Sequence, residues 1–325
     1  MPYFTISDIP YLPDSQRYFE AVRDLSHPVW LDSARPKSQY GRYDIISADP
    51  SSLLSTRGLV TTITDCDGVS KSNDDPFALI SERLSKLCEK PPIDLPFCGG
   101  ALGYFSYDLG RRLEKMPEQA ECDIGLPDMH VGIYDWAILQ DHQQQHAWLI
   151  CLPECGPGQQ KDLLSRCHDA SESTNDKSNI SFNISKFSND IDVNTYLQAI
   201  AKIKDYIRAG DCYQVNFAQR FSAAFEGDSY AAYRHLRTVL PSPFSAYMSL
   251  DEGAILSFSP ERFLQVSGPH VETKPIKGTL PRDSNPYLDQ RNAEQLLASE
   301  KDRAENLMIV DLLRNDISKH CKLGS

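Results

Sequence analysis

No apolar run in the 325 residues approaches the roughly 20 that span a bilayer. The opening MPYFTISDIPYLPDS has neither the basic stretch nor the apolar core of a secretory leader. The expectation is a cytoplasmic protein that neither crosses nor coats a membrane. Positive charge is scarce as well: 33 Lys and Arg stand against 45 Asp and Glu, a formal net charge of −12. That balance argues against a general nucleic-acid or anionic-lipid surface, while leaving room for a local cationic pocket. Cysteines are nine, an odd number, at 66, 88, 98, 122, 151, 155, 167, 212 and 321. Reduced thiols are expected rather than a disulfide framework. The one grouped set, Cys151-x3-Cys155 followed by Cys167-His168, matches no usual zinc spacing.

What is present is an ordinary globular composition, 41% hydrophobic and 24% charged, with length for one large domain or two ordinary ones. Alternating stretches at 42–48 (RYDIISA), 59–65 (LVTTITD) and 146–152 (HAWLICL) predict strands, and 77–87 (FALISERLSKL) has helical spacing. The glycines of FCGGALGYF predict backbone segments that approach closely. Residues 156–190 are rich in Ser, Asn, Asp and Lys, and only their early part suits a short helix, so they read as a polar linker. This divides the chain into domains at 1–155 and 191–325, with the boundary near 185. Beyond it, 192–210 predicts a helix capped by Asp192 or Asn194 and ended by Gly210. Residues 212–225 predict a strand, 246–268 two strands around Asp251-Glu252-Gly253, and 289–315 one long helix. The polar ending ISKHCKLGS, with no strands after that helix, reads as a domain cut short.

Four positions in the second half are polar where the pattern around them is apolar: Gln214, Glu261, Lys277 and Glu305. Glu261 and Lys277 are sixteen residues apart, which suits adjacent strand segments joined at the Gly268-Pro269 turn. In a cleft, such a pair supplies a carboxylic acid for a leaving hydroxyl and an amine nucleophile or cation. On spacing alone, a surface ion pair or two solvated residues is the favoured account. Glu305 shares a helix face with Lys301 and Asp302, which suits either Mg2+ ligation or a solvated helix surface. Gly278 and Thr279 offer an N–H and a hydroxyl to an anion.

At these motifs the chain resembles the chorismate-utilising enzymes, and among them the aminodeoxychorismate synthase component I family. The resemblance runs through GGALGYFSYDLGRR, LPDMHVGIYDWAILQDH, GDCYQVNFAQRF, PSPFSAYM, FSPERF, KPIKGTLPR and SEKDRAENLMIVDLLRND. It implies an α+β fold of antiparallel sheets packed as a sandwich with flanking helices. It also implies an anthranilate synthase component I-like first domain and a chorismate-binding second domain. By matching positions, Glu261 corresponds to the general acid for the C4 hydroxyl and Glu305 to a ligand of the Mg2+ cofactor. Gly278 and Thr279 correspond to the pocket for the ring carboxylate. Gln214 stands where relatives that add water carry a lysine, and an amide cannot serve as a base near neutral pH. Lys277 stands where the anthranilate and isochorismate branches carry alanine, and corresponds to a covalent nucleophile in amination at C4.

The implied partners are chorismate and a glutamine amidotransferase subunit that supplies ammonia. Tryptophan is a further implied ligand, at Ser33, Arg42, Tyr43, Pro243, Phe244 and Ser245. The family pattern continues past Ser325 into a GSITGAPK-like loop, a second metal-binding glutamate and an arginine. The expectation is therefore a chorismate-binding fold incomplete at its C-terminal end and inactive alone. Anthranilate synthase component I, or a non-catalytic fragment binding tryptophan or the amidotransferase, are the alternative expectations.

Overall fold

The computed structural model describes residues 4–87, 94–117, 122–173 and 181–322. The chain forms two units, 1–174 with 237–325, and 175–236.

The first unit opens with β1 (Thr5–Ile9), α1 (Gln16–Val22), β2 (Val29–Asp32), β3 (Tyr43–Ser47), β4 (Ser52–Arg57), β5 (Val60–Asp65) and β6 (Gly68–Ser72). It continues through α2 (Pro76–Leu84), β7 (Gly100–Phe105), β8 (Met129–Tyr134), β9 (Trp136–Asp141), β10 (His146–Cys151) and α3 (Pro157–Glu172). The second unit holds β11 (Phe182–Ile184), β12 (Ser188–Asn189), α4 (Val193–Ala209), β13 (Phe221–Ser222) and β14 (Phe225–Gly227). Helix α5 (Ser229–Val239) leads back to the first unit. There follow β15 (Phe244–Leu250), β16 (Gly253–Ser259), β17 (Gln265–Ser267), β18 (His270–Glu272), α6 (Pro286–Ala298) and α7 (Glu300–Ser318).

Two large antiparallel sheets build the first unit, with the small β17–β18 pair beside them in sequence. One has the order β1-β10-β9-β3-β2-β15-β16 and the other β6-β5-β4-β8-β7. Strands β8, β9 and β10 read as near-continuous apolar runs because both of their faces are covered. Val29 and Leu31 of β2, Met248 and Leu250 of β15 and Leu102 of β7 share one core, so the two sheets face each other as the sandwich expected. A second core packs α2 through Leu79 and Ile80 against Leu54, Ile63 and Val131. Helix α3 lies against α1 and β10. The glycine expectation holds at Gly103, where an added Cβ would collide with the His130 carbonyl on the neighbouring strand.

Several sequence expectations need correcting. The strand pair β15–β16, assigned by sequence to a second domain, is hydrogen bonded through β15 to β2: Ser245 faces Asp32 and Met248 faces Val29. The stretch read as a polar linker contains the sixteen-residue helix α3, because Leu163, Cys167 and Ala170 form a buried stripe under its polar residues. The rest of that linker, 174–180, lies outside the described residues. The strand expected over 212–225 shrinks to β13 and β14, and Gln214 is in irregular backbone. Alternation alone does not make a strand without a neighbour for its N–H and C=O groups. The single helix over 289–315 is two helices: Ser299 is extended (φ −66°, ψ 108°) and its Oγ accepts the Asp302 N–H, restarting the helix as α7. Helix α4 matches, capped by the Asp192 carboxylate and ended at Gly210 with φ 82°.

The chain re-enters the first unit at Arg237, which is buried with all its N–H directions occupied. Its guanidinium donates to Asp32 at 2.7 and 3.0 Å, to Asp14 at 2.9 and 3.0 Å, and to the Arg35 carbonyl at 3.2 Å. It also lies over the Trp30 ring, 4.7 Å from the centroid. Burial opposes its charge, but the bonds to Asp32 and the charge of Asp14 raise its pKa above the ordinary value. Arg237→Met leaves Asp32 buried without its cation. It is expected to lower unfolding stability by about 3–5 kcal/mol in urea titration.

His130 is 4% exposed, and neither ring nitrogen has a partner among the described residues. Burial, with His27 adding to it, pushes its pKa down to about 4. The unfolded imidazole binds a proton near pH 6.5, so in the window from 6.5 down to about 4 the unfolded state holds the extra proton. Stability is therefore expected to fall with pH across that window, by up to about 1.4 kcal/mol per pH unit. His130→Phe removes this contribution, and paired urea titrations at several pH values check it.

Candidate functional site

The Glu261 and Lys277 segments meet as their spacing predicted. Strand β16 ends at Ser259, and Ser259 Oγ donates to the Glu261 carbonyl at 2.8 Å. The chain then turns through the hairpin β17–β18, in register Gln265 with Glu272 and Ser267 with His270. The hairpin's base is tied twice: Arg262 pairs with Glu272, and Thr273 Oγ1 donates to the Phe263 carbonyl at 2.6 Å. That returns the chain to Glu261, whose Oε1 accepts the Ile276 N–H at 3.0 Å. Lys277 comes next, half-buried. It makes no ion pair or hydrogen bond with any described residue, Glu261 included. The simple surface ion pair is therefore not what these two residues form.

Gly278 has φ 72°, the left-handed region that favours glycine. A Cβ added there would sit 2.9 Å from the Asp302 Cβ and Cγ and 3.0 Å from the Leu296 Cδ1. The peptide after Lys277 is thus pressed against the end of α6 and the first turn of α7. Glu305 is half-buried one turn further along α7, so the lysine loop and the glutamate expected to hold a metal belong to one assembly. Thr279 is exposed. Gln214 belongs to the second unit, exposed in irregular backbone.

Among the described residues there is no group of three or more His, Cys, Asp or Glu side chains arranged for a metal. Cys151, Cys155 and Cys167 are buried free thiols, and Cys88 lies outside the described residues. Mg2+ asks less of a protein, since one or two carboxylates suffice when substrate and water complete its shell. Glu305, with Asp302 one turn before it, meets that minimal requirement.

The residues matched to a tryptophan site gather at one end of the seven-stranded sheet. Ser33 follows β2, Arg42 and Tyr43 enter β3, and Pro243, Phe244 and Ser245 enter β15. Their polar groups are already engaged. The Ser33 N–H and Oγ donate to Asp44 Oδ1 at 2.7 and 2.5 Å, and Ser245 Oγ donates to the Ser242 carbonyl at 2.8 Å. Arg42 forks onto the buried Asp141 at 2.8–3.2 Å and lies over the Tyr43 ring, while Arg262 covers Phe244. Behind them Asp44, fully buried, also accepts from Ser15 Oγ at 2.6 Å and meets His142 Nε2 at 2.8 Å. Burial works against its charge, yet His142, Ser15 and Ser33 together hold its pKa below the usual carboxylate range. Sequence reading missed Asp44, His142 and the Ile276 N–H. An Asp inside the strand pattern RYDIISA was the one available signal.

The family model for chorismate binding enzymes matches residues 26–325, and the chain belongs to that family. It is 41% identical over 324 residues to aminodeoxychorismate synthase component 1 of Salmonella typhimurium, covering 99% of this chain and 70% of that protein. With the protein of the same name from Escherichia coli K12 it shares 42% over 310 residues, 95% of this chain and 67% of the relative. In structure it is similar to anthranilate synthase component I of Streptococcus pneumoniae, with TM-score 0.73 and 27% identity over 87% of this chain. It spans 62% of that solved chain.

Gly278→Ala combines an unfavourable φ with contact against Asp302 and Leu296. A loss of about 1–3 kcal/mol is expected in urea titration. Exposed Gly268, at φ 55° with open space around it, is the control: Gly268→Ala bears the conformational cost without the contact.

Proposed function

We propose that the chain carries the chemistry named by its component 1 relatives. Chorismate and ammonia become 4-amino-4-deoxychorismate, on the route to p-aminobenzoate and folate, in the cytoplasm. The supporting observation is the seat of Lys277: a half-buried lysine with no carboxylate partner among the described residues, one residue after a peptide bonded to Glu261. A lysine amine is useful as a nucleophile only when it is not spent on an ion pair.

In this reading Lys277 Nζ forms a bond to ring C2 as the ring double bonds shift and the C4–O bond breaks. Glu261 gives its proton to the departing oxygen, which leaves as water. Ammonia then bonds to C4, the double bonds shift back, and the C2–N bond breaks with its electron pair returning to Lys277. Two displacements return the amine to the carbon that lost oxygen, whereas a single addition at C2 gives the anthranilate pattern. The backbone N–H groups and hydroxyl at Gly278 and Thr279 receive the ring carboxylate. Glu305 would hold Mg2+, which when bound neutralises and orients substrate carboxylate oxygens. Gln214, an amide, cannot activate water and so favours amination over hydration.

Ammonia comes from a glutamine amidotransferase subunit in this scheme. A tryptophan ligand at the end of the seven-stranded sheet would take its polar contacts largely from the backbone, because Ser33 and Arg42 are held by Asp44 and Asp141.

The test is incubation with chorismate, Mg2+ and ammonium of the protein at the full length of its relatives, of which these 325 residues cover 70% and are expected to be inactive alone. The expected product becomes p-aminobenzoate on adding lyase, and anthranilate fluorescence in its place overturns the proposal. Mass spectrometry of the quenched reaction is expected to find chorismate less water on the peptide bearing Lys277, absent in Lys277→Ala. Glu261→Gln is expected to lower turnover by about 10²–10⁴.

A further inference from the structure

Lys277 has an anchored peptide on each side. After it, Gly278 is fixed by its left-handed conformation against Asp302 and Leu296. Before it, the Ile276 N–H is held at 3.0 Å by Glu261 Oε1. These two anchors differ in kind. The groups behind Gly278 take no step in the proposed reaction, whereas the acceptor for Ile276 is the proposed acid itself. Glu261 is in turn steadied by Ser259: its own N–H donates to Ser259 Oγ at 3.3 Å, and that hydroxyl donates to its carbonyl at 2.8 Å.

The geometry points to a second role for Glu261, as the positioning residue that sets the Lys277 backbone through the Ile276 N–H, with its two carboxyl oxygens dividing the work. Oε1 holds the loop, and Oε2 is left for the proton. The division is chemically consistent, because a protonated carboxyl keeps acceptor capacity beside its O–H donor. The loop can therefore stay held in the state that donates the proton. The carboxylate that releases the hydroxyl also fixes the peptide from which the attacking amine extends, so acid and nucleophile are registered by one hydrogen bond. The catalytic meaning of this bond rests on the reading of Lys277 and Glu261 above, but the bond itself does not.

Glutamine separates the two roles, since its amide oxygen accepts a hydrogen bond and its amide nitrogen is no acid. Amide exchange read residue by residue by NMR on the full chain tests the division. In Glu261→Ala the Ile276 amide is expected to exchange about tenfold faster or more, as loss of a charge-assisted hydrogen bond implies. In Glu261→Gln it is expected to stay within about threefold of the parent, although both variants lose acid catalysis. Unchanged exchange at 136–151, the core strands, serves as the folding control. Glu261→Met, which keeps the side-chain length without an acceptor, takes the place of the alanine variant if that one fails the control. Equal Ile276 exchange in the parent and the acceptor-less variant overturns the positioning role, as does a Gln variant as fast as that variant. Failure of chorismate amination with these exchange results intact would remove the proposed reaction and leave the positioning in place.

Discussion

The fold depends on one guanidinium. Arg237 satisfies two carboxylates, a carbonyl and the face of Trp30, and it does so at the position where the chain returns to the first unit. Asp32, its bidentate partner, also accepts the Ala34 N–H and sits opposite Ser245 of β15. The same carboxylate therefore binds the returning chain and lies at the seam where the returning strand joins the sheet. A buried ion pair of this kind adds little stability over an apolar equivalent, but it penalises every arrangement that leaves its charges unpaired. What it contributes here is register: β15 beside β2, and β16 at the sheet's edge.

The site inherits that register through the chain alone. Strand β16 runs out at Ser259, and within two residues the backbone reaches Glu261, so the carboxylate is carried by the end of a paired strand. The hairpin that follows is short and exposed, and its base is closed by Arg262–Glu272 and Thr273–Phe263. A surface ion pair has small energetic value by itself. Its use here is geometric, because it keeps the hairpin between Arg262 and Glu272 from changing where Ile276 returns. Sheet, strand end, hairpin base and lysine loop form one rigid sequence of constraints from Asp32 to Lys277.

Local and periodic features were legible in the sequence. The alternation of β3, β5 and β10, the cap and stop of α4, the turn between β15 and β16 and the approach of Glu261 to the Lys277 loop all follow from spacing and turn chemistry. What the residues hid was non-local. Nothing in Phe244-Ser-Ala-Tyr-Met distinguishes a strand of its own domain from one that completes a sheet begun more than two hundred residues earlier. The full length of helix α3 was hidden because its apolar stripe is only three buried residues wide under a polar surface. Ser299 was masked inside a helical pattern, since a serine restarts a helix only if its backbone leaves the helical region. Asp44 and His142 reveal their meeting only when β3 and β9 are paired. The candidate reaction itself came from motif resemblance; spacing supported more than one reading of Glu261 and Lys277, and the geometry removes the direct ion pair between them.

A lysine is a poor choice for a group that must be placed accurately, because four methylenes separate its nitrogen from the backbone and it readily adopts any nearby carboxylate as a partner. For Lys277 in its proposed role, two measures answer that difficulty. Carboxylates of the same hairpin and loop are engaged elsewhere: Glu261 holds the Ile276 N–H, and Glu272 takes Arg262 and Lys274. The Asp302 side chain, in turn, is packed against the next glycine. The backbone, meanwhile, is held on both sides of the residue, so the only freedom left to the amine is that of its own side chain. The glycine at 278 then follows as a necessity of the design, not a matter of flexibility. A residue with a Cβ would push the loop off α7, and the peptide that carries Lys277 would lose the surface against which it is positioned.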